Sequence, residues 1–111
     1  YQTVNYPEII IGSMVEQYNI TEFTIDGVPE DLTAYQKIEA IFTKGFMGGA
    51  ELYRAEFTVS GSQSATLAAF SSDEIGAGGE IHYRVEFTNA SGETRIHIIG
   101  LLPIKEDSDG C

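Results

Sequence analysis

Few residues in this chain are of types that do chemistry. His82 and His97 are its only histidines, and Cys111, at the last position, is its only cysteine. An imidazole can bind a metal or shuttle protons near neutral pH, but both uses need a second convergent group. The two histidines fall in a stretch of strict alternation, GEIHYRVEFTNASGETRIHI, from Gly79 to Ile98. That alternation sets both opposite the apolar face of Ile81, Tyr83, Val85, Phe87, Ile96 and Ile98. In the expected pairing His82 faces Ile99, and His97 faces Arg84, whose charge disfavours a cation. Two solvent-facing strand histidines are therefore expected, with no metal and no cofactor. No Gly-x-Ser-x-Gly, phosphate-binding loop or dinucleotide fingerprint occurs, and no serine has a histidine placed as its base. Asp107-Ser108-Asp109-Gly110 opens like a calcium loop but lacks the later acidic ligands, so it reads as solvated tail. Asn19-Ile20-Thr21 and Asn89-Ala90-Ser91 fit the N-glycosylation pattern. The chain reads as non-catalytic.

Charge and length narrow the classes further. The chain has 111 residues, with 17 acidic against 6 basic and a formal charge of −11. Phosphate backbones and anionic lipid would repel it, which argues against nucleic-acid and membrane-surface roles. Its longest apolar run is too short to cross a bilayer, so no membrane insertion is expected. A hydrophobic share of 42% fits one globular domain with a single core. One cysteine makes no internal disulfide, although a terminal thiol at Cys111 permits an intermolecular one under oxidising conditions. The chain begins at Tyr1 rather than methionine, which reads as a processed product or a domain cut from a longer protein.

Seven strand-like segments are expected: Glu8 to Val15, Tyr18 to Ile25, Thr33 to Thr43, Glu51 to Val59, Ala65 to Phe70, and the two arms of the hairpin at Gly79 to Ile99. Asp26-Gly27-Val28-Pro29, Gly45-Phe46-Met47-Gly48-Gly49 and Ser71 to Gly79 supply the turns. For the hairpin, a four-residue loop of Asn89 to Gly92 puts Thr88 opposite Glu93, Glu86 opposite Arg95, and Val85 opposite Ile96. Apolar pairs then share one face, and a one-residue slip would set Glu86 against Ile96. The domain is expected over residues 1–104, followed by an acidic flexible tail over 105–111.

Many short strands without helices point to an all-β, immunoglobulin-like antiparallel sandwich of about seven strands. The run Tyr83-x-Val85-x-Phe87-x-Asn89-x-x-Gly92-x-Thr94 resembles the final hairpin of fibronectin type III and related immunoglobulin-like modules. That resemblance implies an extracellular or cell-surface module contacting a protein partner through loops at one end. Phe46 and Met47, an apolar pair between glycines, are expected beside Asn89 and Ser91 as the partner-binding residues. An accessory spacer in a secreted enzyme or adhesin is an alternative. A second alternative rests on Thr43-Lys44-Gly45-Phe46, Gly76-Ala77-Gly78-Gly79 and Leu101-Leu102-Pro103. Their order resembles the three wedge loops of chagasin-type inhibitors of papain-like cysteine proteases.

Overall fold

The computed structural model describes residues 2–45 and 49–105. Its elements in chain order are β1 (Gln2–Thr3), β2 (Ile9–Ile10), β3 (Met14–Val15), β4 (Tyr18–Thr21), β5 (Thr24–Ile25) and β6 (Val28–Pro29). After a 3-10 turn at Leu32–Ala34 come β7 (Tyr35–Lys44), β8 (Glu51–Glu56), β9 (Thr58–Gly61), β10 (Ser64–Leu67) and β11 (Phe70–Ser71). A second 3-10 turn at Ser72–Glu74 precedes the long pair β12 (Gly79–Asn89) and β13 (Thr94–Lys105). The chain is all-β, as expected.

The large sheet runs β1–β13–β12–β7–β8, with β2 also on β13. A smaller sheet runs β4–β10–β9, accompanied by the pair β3–β11. The two layers close on one core, because alternate residues of each strand point inward. Ile38, Ala40 and Phe42 of β7 and Ile81, Tyr83, Val85 and Phe87 of β12 meet Ile20, Ala65 and Leu67 of the smaller sheet. Aromatic rings stitch the layers: Tyr18 meets Phe57 and Tyr83 edge-on at 5.7 and 6.3 Å, and Phe42 meets Phe70 at 5.4 Å. Such pairs add about 0.5–1.5 kcal/mol each beyond the area they bury.

The expected segments are present, but several divide between sheets. Glu8 to Val15 breaks at Gly12, whose φ of +93° turns β2 on the large sheet into β3 on the smaller one. Glu51 to Val59 bends at buried Phe57, whose N–H donates to the Ile38 carbonyl between β8 and β9. The sandwich is also not wholly antiparallel, since β1 and β2 both run parallel to β13. Gly100 makes that edge contact feasible: a Cβ there would lie 1.8 Å from the Val4 carbonyl oxygen. The Tyr83 hydroxyl donates to the same carbonyl. β13 extends through Lys105, which takes that residue out of the expected tail; the remainder of the tail, Cys111 included, lies outside the described residues.

The hairpin departs from its expected register in two steps. Its loop has three residues, closed by Asn89 N–H donating to the Glu93 carbonyl at 2.9 Å, with Gly92 at φ +88°. A type I turn followed by a left-handed glycine has that form. It moves Thr88 opposite Thr94 and sets Glu86 against Ile96, the pairing expected to be excluded. A β-bulge then leaves His97 unpaired, and Val85 meets Ile98. Past the bulge Ile98, Gly100, Leu102 and Ile104 face the core. An extra residue of this kind bends the strand and reverses which parity points inward.

Candidate functional site

The bulge decides what stands at the hairpin end of the sandwich. Arg95 now lies opposite Phe87 on the inward parity, and His97 follows it. The expectation that His97 faces outward is therefore corrected: its ring packs edge-on against Phe87 at 5.2 Å and Phe23 at 5.9 Å. Burial pushes the imidazole below its ordinary pKa; nearby Glu30 opposes that shift, while Arg95 reinforces it. His82 does remain on the outer face, 3.2 Å from the Glu80 carboxylate.

The segment joining β4 to β7 forms the other wall. Asp26 and Gly27, at φ +53° and +80°, make a two-residue hairpin turn between β5 and β6. Two successive positive φ values match the right-handed strand twist, and Asp-Gly adopts them readily. This tight turn presents Val28, 62% exposed, at its tip. Glu30 N–H then donates to the Phe23 carbonyl at 3.0 Å, and the Asp31 side chain caps the following turn by accepting from Thr33 N–H at 3.0 Å. Gln63 donates to the Glu30 carbonyl, which ties the segment to the smaller sheet.

Between these walls lies a cleft of about 320 Å³. Tyr35 and Phe87, 5.3 Å apart edge-on, supply its aromatic side, and Glu30, Glu93, Arg95 and His97 supply charge or titratable groups. The Tyr35 hydroxyl donates to the Glu30 carboxylate at 3.0 Å. Burial together with that carboxylate pushes the phenol up to about 12, so it stays a neutral donor through the physiological range. Arg95 is an exposed cation, 4.0 Å from the Glu93 carboxylate. An apolar and aromatic base with a few polar groups at its rim is suited to recognition.

No family model and no curated protein matches the chain. Its site rests on geometry alone.

Of the expected partner-binding residues, Asn89 and Ser91 lie at this end, on the loop bordering the cleft. Asn89 has a structural task there. Its Oδ1 accepts from Ser91 N–H at 2.9 Å and Glu93 N–H at 3.0 Å, and its amide donates to the Glu93 carboxylate at 3.3 Å. Phe46 and Met47 lie outside the described residues. The residues on either side of them are described. Lys44 pairs with Ile81, whereas Asn89 pairs with Tyr35. From Ile81 to Asn89 the strand covers roughly 27 Å, so Lys44 and Asn89 stand at opposite ends of β12.

The stretches resembling wedge loops are also corrected in part. Lys44 Nζ donates to the Gly78 carbonyl at 2.7 Å, which joins the first two. Leu101-Leu102-Pro103 is no loop: it is paired along β13 with His82, Ile81 and Glu80. The other glycosylation pattern sits on β4, where Asn19 Oδ1 accepts from Thr66 Oγ1 at 2.9 Å. No group of three or more His, Cys, Asp or Glu side chains is placed to hold a metal among the described residues. The calcium-like stretch Asp107 to Gly110 lies outside them. Sequence reasoning missed Val28, Glu30, Tyr35 and Arg95 as site residues. The Asp26-Gly27 turn before an apolar residue was the available signal for the first.

Proposed function

We propose that this chain is a non-catalytic, immunoglobulin-like module of an extracellular or cell-surface protein that binds a protein partner through its hairpin end. Strand order supports the fold type. A large sheet of β13, β12, β7 and β8 against a smaller one of β4, β10 and β9 has the arrangement of the immunoglobulin-type sandwich. The observation that carries the binding reading is the pairing of the Val28 knob with the Tyr35–Phe87 cleft at one end. Exposed apolar tips on a rigid scaffold, beside a concavity with fixed polar groups, suit a partner surface. The acidic surface favours a partner with basic character through long-range attraction.

The test compares partner capture by three forms of the immobilised chain. Val28→Asp with Arg95→Glu alters two exposed side chains and leaves the core untouched. Phe46→Ala with Met47→Ala alters the apolar pair between β7 and β8. Loss of a defined partner in the first pair, with retention in the second, supports binding at the hairpin end. The reverse pattern assigns binding to the Phe46–Met47 loop. Equal capture by all forms refutes an end-on site, and capture by none favours the spacer alternative.

A further inference from the structure

We infer that the outer face of the large sheet is a self-complementary surface that pairs with a second copy of this chain. Strand register fixes which outward side chains lie side by side. Across β13, β12, β7 and β8, one row reads Ile96, Glu86, Glu39, Glu56. The next row reads Ile99, Arg84, Ile41, Arg54. A carboxylate row thus adjoins an arginine row, with two isoleucines in line at the β13 end.

These charges are already ordered. Arg84 meets Glu86 at 2.8 Å, Arg54 meets Glu39 and Glu51 at 2.8 Å, and Lys37 meets Glu39 at 3.4 Å. Side-chain exposure is only 12% for Glu39, 18% for Arg84 and 20% for Glu86. Ile41 points away from the core yet reaches no solvent, since it lies between Arg84 and Arg54 in the register. The alkyl stems of long side chains cover apolar surface in this way. A face whose side chains are held in place loses little rotamer freedom on association.

Charge selects a second copy as the occupant. Lys37, Arg54, Arg84 and Lys105 share this face with Glu39, Glu51, Glu56, Glu80 and Glu86, a balance of −1. The remaining two basic and twelve acidic residues leave −10 for the rest of the chain. Two copies therefore meet with least repulsion through this sheet. A twofold axis running across the strands, between the two rows, sets the strands of the copies antiparallel. It places Glu86 over Arg84 of the second copy, Glu56 over its Arg54, and Ile96 over its Ile99. Every column of the two rows except that of Glu39 and Ile41 then meets its complement, as a closed isologous contact requires. Three rows over four strands, with two shorter ones, span roughly 550 Å² per copy from ordinary sheet spacings. That is the lower end for a specific interface, so the pairing is weak and concentration-dependent.

Sedimentation velocity of the full chain, in reducing buffer to exclude a Cys111 disulfide, reads the pairing directly. The unaltered chain moves from monomer to dimer between low and high micromolar concentration. Glu86→Arg and Arg84→Glu each set like charges face to face and weaken association by about 100-fold or more. An equimolar mixture of these two variants associates again, because each supplies the charge that the other lacks. The double variant Glu86→Arg/Arg84→Glu also dimerises. A chain that stays monomeric, a dimer indifferent to the single exchanges, or a mixture that remains monomeric overturns the inference. Should a variant fail to fold, amide shifts of the unaltered chain against concentration decide. Movement centred on Arg84, Glu86, Ile96 and Ile99 supports the face; movement centred on the hairpin-end cleft, or none, refutes it.

Discussion

Gly100→Ala tests the placement of the N-terminal edge. An added methyl would overlap the Val4 carbonyl at 1.8 Å and the Tyr83 ring at 2.7 Å. The first obstacle is backbone, so the segment before β2 has to lift. Lifting forfeits three contacts to the large sheet: Val4 N–H to the Ile99 carbonyl, Tyr6 N–H to the Leu101 carbonyl, both at 2.9 Å, and Tyr83 hydroxyl to Val4. At about 1 kcal/mol net per bond, the loss is about 3 kcal/mol. Solvation of the freed Val4 and Tyr6 groups is already within that net figure, and more is lost as Tyr6 leaves Tyr18 and Tyr83. The expected destabilisation is about 2–4 kcal/mol in urea unfolding. Amide exchange gives the local readout: Val4 and Tyr6 lose their protection, while Ile41 and Val85 in the sheet centre are affected only through global stability. A change below about 0.5 kcal/mol, with Val4 and Tyr6 still protected, would refute the close crossing over Gly100.

Two other substitutions address named contacts. Tyr6→Phe deletes a buried hydroxyl that has no hydrogen-bond partner among the described residues. Because an unsatisfied buried hydroxyl costs about 1–3 kcal/mol, the variant is expected to be as stable as the parent or more so by thermal unfolding. Asn89→Ala removes the acceptor for Ser91 and Glu93 N–H from an exposed turn. It is expected to cost about 1–2 kcal/mol in urea unfolding, and a loss within experimental error would contradict the structural role of Asn89.

What was legible in the sequence follows from what each residue type can encode. Alternation over Ile81 to Phe87 has one physical solution, a strand buried on one face, and the structure contains it. Thr33 to Thr43 likewise resolves as a strand from Tyr35 onward, after a 3-10 turn at Leu32–Ala34, because Ile38, Ala40 and Phe42 fall on one parity while Gly45 stops it. The bulge is silent because Ile96, Ile98 and Ile99 place apolar residues on both parities, so neither register leaves an obvious error. Glu86 tolerates Ile96 across the strands because both point to the outer face, where no core is disturbed. The sheet change at Phe57 is hidden too, since alternation from Tyr53 to Val59 continues through the bend. Which end of the large sheet Lys44 occupies is hidden for a topological reason. Ends are set by strand order, and nothing local at Gly45 to Gly49 tells that β7 and β8 are neighbours in one sheet.

The bulge turns His97 inward, beside Phe23, Phe87 and Glu30, and so builds the cleft. Titration of His97 by NMR across acidic to neutral pH, with ring contacts measured in the same samples, tests it most directly. His97 is expected to titrate below the ordinary histidine value and to show ring contacts to Phe23 and Phe87. Since the unfolded chain then takes up the proton first, stability falls as pH drops from about 6.5 towards the folded-state value and levels off below it. His97→Gln is expected to flatten that slope. Titration at or above the ordinary value, with no contact to either phenylalanine, would return His97 to the outer face and remove the cleft from the account.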